Sequence, residues 1–277
     1  MTQTTDSQPP RRERKVTRVQ VARTEQLTPT VVRVVLTGDE LADFSVGEYT
    51  DHYVKLLFPD PDDTDLPERP RAYTVRAWDT AAMELTLDIV VHGDEGLAGP
   101  WASGAQPGDE IGFIGPGGAY TPDATANWHL LVGDESALPA IAVALERIAE
   151  IGTAAPVHVF LEVEDEREHQ ELTQPAGARI TWLHRVDRPE HPGAALVEAV
   201  RTLTFPEGAV HAFVHGDADF VRQIRRHLRV DRGIDLDRLS ISGYWRRGRT
   251  DEGWRSEKRD WNREVETEEQ AMLQQQA

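Results

Sequence analysis

The sequence predicts two successive domains, an antiparallel β-barrel followed by a parallel α/β sheet. Two observations support this fold class. Between residues 15 and 120, six short apolar or alternating segments are separated by turn residues, with hardly a helix among them, which is typical of a small barrel. After Asn127, short apolar segments alternate with segments of helical spacing, which is the pattern of a parallel sheet with helices on both faces.

The six barrel strands are predicted from short runs that turn chemistry separates. The clearest run is residues 84–89, where apolar and polar residues alternate with the period of two expected of a half-buried strand. Between the runs lie glycine, proline and aspartate clusters, such as Gly38-Asp39 and Gly115-Pro116-Gly117-Gly118. The predicted strands are 16–22, 30–36, 53–58, 72–77, 84–91 and 110–114.

The second domain is predicted to begin with an apolar strand at 129–133 that ends in Gly133. Apolar residues then recur at helical spacing from Leu138 to Ile148, up to Gly152. Ligands of parallel sheets bind beyond the carboxyl ends of the strands, so functional residues are expected there. Further strands are predicted at 157–163, 179–183, 210–214 and 239–243, with helices after the second and third of these.

The resulting domain boundaries are a disordered leader at 1–14, a barrel at 15–124, an α/β domain at 125–250 and a tail at 251–277. The leader is polar and then basic, which is not a secretory signal. The tail is charged and Gln-rich, and it favours either a polar helix or a frayed end, with Trp254 and Trp261 as docking points.

Composition excludes several classes of function. The chain has 277 residues, no cysteine and a formal net charge of −18. Without cysteine there is no disulfide, thiolate zinc site, cysteine-ligated iron–sulfur cluster or Cys nucleophile. The negative charge disfavours binding to nucleic acid or anionic membrane. The sequence contains no run of about 18 apolar residues, so it predicts no transmembrane helix. We expect a cytoplasmic monomer.

The barrel carries two segments with the chemistry of a flavin site. Arg71-Ala72-Tyr73-Thr74 offers a guanidinium for a phosphate, a phenol ring for the isoalloxazine and a hydroxyl for the flavin nitrogen that takes up hydride; an ordinary strand is the alternative. Downstream, at 96–102, a glycine-rich turn leading into a short helix offers backbone N–H groups to a pyrophosphate. His92 ends the preceding strand, where it is either a ligand of the cofactor or a half-buried structural histidine.

The α/β domain carries two further candidates. Residues 133–139 connect its first strand and helix, where a nucleotide would meet the helix, with Asp134 or Ser136 as a cap. The two acids of this segment would repel a pyrophosphate lying directly on them. After the second strand, Glu162, Glu164 and Asp165 favour a free ribose 2′-hydroxyl, although Arg167 nearby leaves the choice between NADH and NADPH open.

A basic cluster follows the last predicted strand. Residues 243–249 contain three arginines and two aromatics in a strongly acidic protein, and more positive charge follows in Arg255, Lys258 and Arg259. A solvated charged surface is the ordinary explanation. Because the cluster opposes the net charge and lies at the ligand end of the sheet, an anion site is favoured.

With these motifs in order, the chain resembles the siderophore-interacting proteins, flavin-dependent ferric-siderophore reductases of the ferredoxin-reductase-like superfamily. The resemblance covers nearly everything from Lys15 to about Trp261. Each motif is weak alone, but five in the right order on the right elements are specific. They are Arg71–Thr74, Asp88–His92, Gly99–Ala102, the segment 133–140 and the segment 243–248.

The resemblance implies FAD in the barrel, reduced nicotinamide as the electron donor with an external ferredoxin as the other option, and an anionic ferric siderophore as the substrate. No residue need act as acid or base, because the cofactor carries the chemistry. The implied substrate-binding residues are Lys55, Arg246 and Arg247; a third basic position of the family has only His129 nearby, a poor substitute. The implied cofactor-binding residues are Arg71, Ala72, Tyr73, Thr74, Asp88, Val90, His92, Gly99, Pro100, Trp101, Ala102, Asp134, Ser136, Ala137, Tyr244 and Trp245.

The sequence leaves open two alternatives to a ferric-siderophore reductase. A general NAD(P)H:flavin or ferredoxin-type reductase would share the two domains, but it would not explain the basic cluster. A non-enzymatic siderophore carrier would explain the cluster and would need no flavin.

Overall fold

Six antiparallel strands close into a barrel in the first part of the chain. The computed structural model describes residues 15–60, 68–92 and 96–276, so the predicted leader at 1–14 lies outside the described residues. The strands are β1 (Thr17–Thr28), β2 (Val31–Thr37), β3 (Tyr53–Phe58), β4 (Arg69–Asp79), β5 (Glu84–Val90) and β6 (Glu110–Gly117). Their order around the barrel is β1-β2-β5-β4-β3-β6, and β6 pairs back with β1.

Alternation in the strands builds the barrel core. In β5, Leu85, Leu87 and Ile89 are fully buried, while Glu84 and Thr86 face outward, as the period of two dictates. A short helix, α1 (Ala98–Gly104), follows β5 and buries Ala98 and Ala102 against the same core. The barrel is therefore filled by side chains, and a ligand must bind on its outside.

The second domain is a five-stranded sheet whose neighbouring strands are all parallel. Its strands are β7 (Trp128–Asp134), β8 (Val157–Val163), β9 (Ala178–His184), β10 (Val210–Asp217) and β11 (Leu239–Trp245). The order β11-β10-β7-β8-β9 places the reversal of strand order between β10 and β7, where open parallel sheets form a crevice for ligands. The predicted fold class, a barrel followed by a parallel α/β domain, is confirmed.

Helices cover both faces of this sheet. Helix α2 (Leu138–Ile151) packs Ile141, Leu145 and Ile148 on one face and ends at Gly152, whose positive φ of 69° lets its N–H bond the last carbonyls. Helices α3 (Ala194–Thr202), α4 (Ala218–Arg226) and α5 (Asp251–Gln276) pack on the other face.

The tail after residue 250 is a helix of 26 residues, α5, and not a frayed end. Trp254, Trp261 and Val265 bury one stripe of it against the sheet domain. Arg225 of α4 and Glu269 form a buried bidentate ion pair at 2.7 and 2.9 Å. The rest of α5 is charged, and among the described residues no helix is long and apolar enough to cross a membrane.

On one side of the interface, two contacts among the described residues fix the barrel against the sheet domain. Arg76 of β4 donates to both carboxylate oxygens of Glu146 on α2, at 2.7 and 3.2 Å. Glu168, buried in the loop after β8, accepts hydrogen bonds from the hydroxyls of Thr28 and Thr30. These contacts hold one side of the interface closed, and the cleft described below opens on another side.

Candidate functional site

A cavity of about 1100 Å³ lies between the barrel and the carboxyl edge of the parallel sheet. Strands β3, β4 and β5 provide its barrel wall. The ends of β7, β8, β10 and β11 provide the opposite wall, and the first turns of α5 close one side. Among the described residues, 13 of the 19 sequence-predicted site residues line it: Lys55, Arg71, Ala72, Tyr73, Thr74, Asp88, Val90, His92, Asp134, Ser136, Tyr244, Trp245 and Arg247.

The barrel wall presents the Arg71–Thr74 segment of β4, paired with β3 so that Ala72 lies opposite Lys55. The Tyr73 ring packs on the barrel core and lines the cavity, and burial raises the pKa of its phenol. Arg71 is not free in this structure. Its guanidinium contacts Asp251 at 3.2 Å and Glu252 at 2.6 Å, both at the beginning of α5.

Asp88 reaches the cavity wall from β5, but its carboxylate already has a strong partner. Arg33 of β2 donates to both of its oxygens, at 2.7 and 2.9 Å, and Asp88 is buried. A bidentate Arg–carboxylate pair fixes geometry, so Asp88 supports the wall on which Val90 and His92 lie.

The structure does not bring the Gly99–Ala102 segment to the wall of the cavity. The segment forms the body of α1, where Ala102 is buried in the barrel core and the Trp101 ring packs edge-on against Phe58 at 5.7 Å. The sequence predicted a glycine-rich turn leading into a short helix, and the structure has this helix. The helix packs closely on the barrel, with Gly99 beside Val91, and does not line the cavity.

Asp134 at the end of β7 is the hub of the sheet wall. One carboxylate oxygen accepts from the Ser136 backbone and hydroxyl at 3.0 and 2.5 Å. The other accepts from the Asp217 backbone N–H and the Trp245 indole N–H, both at 2.9 Å. Burial raises the pKa of Asp134, and these four hydrogen bonds oppose that shift. The hub joins the ends of β7, β10 and β11.

The start of α2 differs from the predicted cap. Ala137 occupies the N-cap position, and neither Asp134 nor Ser136 caps the helix with its side chain. Ala137 is fully buried and does not line the cavity. It lies so close to Gly133 that a Cβ at residue 133 would approach the Ala137 Cβ to 2.5 Å. Gly133 is therefore needed for the helix to begin directly after the strand.

An ion-pair cluster that sequence reasoning missed lies beyond the ends of β7, β8 and β9. Arg185 donates from Nη1 to Glu135 at 2.8 Å, its Nη2 also contacts Glu135, and its Nε lies 3.2 Å from Glu164. Glu162 is buried and accepts from the Gly193 N–H at 2.8 Å. Arg185 is 50 residues from Glu135, so no local pattern indicates this contact.

A cationic patch, which we define as Lys55, Arg255 and Lys258, lines the cavity where β3 faces α5. Lys258 donates to the Ser242 hydroxyl at 3.0 Å. Burial and the nearby charge of Lys55 lower the pKa of Lys258. An anion in the cleft would stabilise the charged form of Lys258, which burial and Lys55 disfavour.

The predicted basic residues divide between the cavity and the outside. Arg247 lines the cavity near Asp217, whereas Arg246 is not among the described lining residues. Arg246 lies 3.8 Å from both Asp219 and Glu257, because its position after β11 points it toward α4 and α5. His129, the residue nearest the predicted third basic position, is buried at the end of β7 that is opposite to the cavity.

The cavity fits a flavin dinucleotide on three counts. Its volume exceeds the roughly 300–1,000 Å³ of ordinary ligand pockets. Its barrel wall offers an aromatic face at Tyr73, a guanidinium at Arg71 and a buried hydroxyl at Thr74. Tyr244 lies across the cavity with its ring packed edge-on to His215 at 4.8 Å. These features are those of a two-domain flavoprotein.

The chain belongs to the siderophore-interacting protein family. Residues 20–120 match the siderophore-interacting FAD-binding domain, and residues 126–248 match the siderophore-interacting protein domain. The two matches coincide with the barrel and the sheet domain. The predicted family and the predicted FAD cofactor are therefore confirmed.

Named relatives extend over nearly the whole chain. Ferric vibriobactin reductase ViuB of Vibrio cholerae is 35% identical over 253 residues, covering 85% of this chain and 91% of that protein. An NADPH-dependent ferric-chelate reductase of Escherichia coli is 28% identical over 240 residues, covering 81% and 91%. The crystal structure of a siderophore utilization protein from T. fusca has a TM-score of 0.74 at 39% identity and covers 86% of this chain and 95% of that one.

The fold is also that of ferredoxin reductases. Ferredoxin-NADP+ reductase from Plasmodium falciparum has a TM-score of 0.64 at 12% identity, with 83% of this chain and 96% of that chain covered. At this identity the likeness concerns the fold alone, and it confirms the ferredoxin-reductase-like architecture.

Proposed function

We propose that this protein reduces ferric siderophores in the cytoplasm, with FAD in the barrel cleft and the ferric chelate on the cationic patch. The single observation that carries the proposal is that Lys55, Arg255 and Lys258 line the same cavity as Tyr73 and the Arg71 guanidinium. A cofactor site and an anion site thus share one cleft. The named ferric reductases among the relatives support the reaction class.

Bound FAD would supply the redox chemistry that carries reducing equivalents to Fe(III). The chain's own residues bind and orient. Tyr73 offers its ring to the flavin. Arg71 offers a charge-assisted contact to the phosphates of the flavin cofactor. Its guanidinium either keeps its contacts with Asp251 and Glu252 or exchanges them for the phosphates. Thr74 offers a buried hydroxyl. Iron reduced to Fe(II) binds hard oxygen ligands less tightly, so the substrate releases it.

The cationic patch solves an electrostatic problem. A ferric tris-catecholate carries about three negative charges, and a protein at −18 repels it at long range. Local positive charge in a cleft with low-dielectric walls focuses the field and attracts the chelate. Lys258 is the group best placed for this. Burial lowers its pKa because it disfavours the charged form, and an incoming anion would stabilise that charged form.

The patch revises the pair predicted from sequence. Lys55 stays in the proposed site, whereas Arg246 is not among the described lining residues. Arg255 lines the cavity, although it also contacts Asp251 at 3.7 Å. Arg247 stays a proposed contact at the edge of the cavity. Lys258 and Arg255 take the place of the third basic position for which the sequence offered only His129.

The test is anaerobic single-turnover oxidation of the reduced holoprotein by a ferric tris-catecholate and by a neutral ferric chelate. Lys55→Gln with Lys258→Gln is compared with a matched control, Arg246→Gln with Arg249→Gln. Both variants remove two positive charges, but only the first removes them from the cavity. We expect the first to lose at least about tenfold in the second-order rate constant for flavin oxidation by the anionic chelate, equivalent to roughly 1.4 kcal/mol, and the control to lose much less.

Each other outcome has a definite meaning. If the lysine variant loses the same fraction of its rate with the anionic and the neutral chelate, the lysines serve the flavin or the fold and not the chelate. Equal loss in both variants assigns the effect to net charge alone. A protein that purifies without flavin absorbance and binds the chelate without reducing it is a carrier, and one that reduces flavin but no ferric chelate is a general reductase.

A further inference from the structure

The cluster of Glu135, Glu162, Glu164 and Arg185, which we call the acidic corner, lies in the cavity beyond the ends of β7, β8 and β9. In parallel nucleotide-binding sheets, an acid at the end of the second strand binds the ribose 2′-hydroxyl, while an arginine nearby accommodates a 2′-phosphate. Glu162 is the penultimate residue of β8, the second strand of this domain, and Arg185 directly follows β9. The corner thus contains both kinds of group, and their contacts decide between them.

The charge of Arg185 is already neutralised. Its guanidinium contacts Glu135 with both terminal nitrogens and Glu164 with Nε. The Glu135 side chain is only 7% exposed. A phosphate that took Arg185 from Glu135 would leave a buried carboxylate unpaired, which is strongly unfavourable. Arg185 therefore acts as the partner of the acids and is not available to a 2′-phosphate.

The remaining groups of the corner are negative. Glu162 is buried, lines the cavity and accepts one N–H bond from Gly193, so its carboxylate can accept a second hydrogen bond from a ribose hydroxyl. Arg167, the other arginine that the sequence offered for a phosphate, contacts Asp165 at 2.5 Å and is not among the described lining residues.

The other described cations of the cavity lie elsewhere in it. Lys55 and Arg71 belong to the barrel wall, Arg255 and Lys258 belong to α5, and Arg247 follows β11. Lys258 contacts Ser242 of β11 and Arg71 contacts the beginning of α5, and β11 lies at the opposite edge of the sheet from β9.

We infer that the acidic corner selects a dinucleotide with a free ribose 2′-hydroxyl, so that the nicotinamide donor is NADH and not NADPH. This inference rests on the proposed function, since it names the donor for the same cleft. Glu162 binds the 2′-hydroxyl. Glu135 and Glu164 exclude the 2′-phosphate, both by repulsion and by holding Arg185.

The test is equilibrium binding by calorimetry to the full-length holoprotein, with NAD+ and NADP+ as probes, so that no turnover is needed. We expect the wild type to bind NAD+ at least about tenfold more tightly than NADP+, and Glu135→Gln with Glu164→Gln to reduce that ratio by about tenfold, because Arg185 is released. Glu164→Gln alone, at a half-exposed position, shifts the ratio in the same direction if the double variant does not fold. Glu166→Gln with Glu171→Gln is the matched control, which makes the same charge change at exposed residues.

Three results would overturn the inference. They are a wild type that binds NADP+ as tightly as NAD+, a wild type that binds neither, and a control that shifts the ratio as much as the corner variant. None of these affects the proposed function, which fails only if the chemically reduced holoprotein is not oxidised by ferric chelates. The two failures are therefore distinguishable.

Discussion

His129 should make the protein's stability depend on pH in a defined window. The residue is the second of β7, is 1% exposed and has no hydrogen-bond partner at either ring nitrogen among the described residues. Burial, with a smaller effect of His211, lowers its pKa from 6.5 to about 4, although Asp123 opposes the shift. The folded protein therefore keeps this imidazole neutral at pH values where the unfolded chain protonates it.

The magnitude follows from the two pKa values. Because the folded pKa lies below the unfolded value, the unfolded state binds more protons between about pH 4 and 6.5, and the free energy of unfolding rises with pH across that window. Lowering the pH from about 7.5 to about 5 multiplies the equilibrium constant for unfolding by about thirty, which lowers the free energy of unfolding by about 2 kcal/mol. Stability from this group is fully present above pH 6.5 and is lost as the pH falls.

The perturbation is His129→Leu, which removes the titrating group and breaks no hydrogen bond. Urea unfolding of wild type and variant at about pH 7.5 and pH 5 gives the difference in the free energy of unfolding at each pH, and titrations of groups that do not interact with residue 129 cancel in that difference. We expect the difference to shift by about 2 kcal/mol in favour of the variant at the lower pH. His191→Gln controls for loss of an exposed histidine. A difference that stays constant with pH would refute the reasoning.

Two further predictions concern the flavin and helix α5. Tyr73→Ala and Arg71→Gln should each weaken FAD binding, measured by fluorescence titration of the flavin-free protein; loss of a charged hydrogen-bond partner costs roughly 1.5–3 kcal/mol, or one to two decades in affinity. Full flavin occupancy in both purified variants would show that the barrel site is misplaced. Trp261→Ala should lower the free energy of unfolding by about 3–5 kcal/mol, because it removes a buried aromatic ring. The same substitution should weaken binding of an anionic ferric chelate, because Lys258 is on the same helix, although residue 261 does not line the described cavity. Unchanged chelate binding would show that the patch does not depend on the packing of α5 at residue 261.

The parts of the fold that local patterns encode could be predicted from the sequence. The alternation of β5 and the helical spacing of Leu138 and Ile148 depend only on which face of an element is buried, and the structure has these elements. Lys258 also had a local signal. It lies four residues after Trp254 and three before Trp261, so a helical tail places all three on neighbouring positions of one face. Arg246, in an arginine-rich loop, carried no such constraint.

Other features of the site depend on contacts between distant residues. The pairing of Arg185 with Glu135 and Glu164 arises because β7, β8 and β9 end side by side, and no spacing in the sequence reveals which acids surround an arginine. The Gly99–Ala102 segment shows the opposite limit. The sequence predicted a turn leading into a short helix, but the packing of that helix into the core, where Ala102 is buried, depends on the assembled barrel.

The location of Lys258 and Arg255 on α5 has an evolutionary consequence. The helix is appended after the last strand and contributes nothing to the closure of the barrel or to the pairing of the sheet. Lys258, whose described contact is with Ser242, can therefore be substituted without breaking a contact of Tyr73 or of the acidic corner, whereas Asp251 and Glu252 at the beginning of the same helix contact Arg71 of the flavin wall. Under the proposed function, descendants of one protein can change their chelate preference at Lys258 while the residues that hold the flavin stay the same.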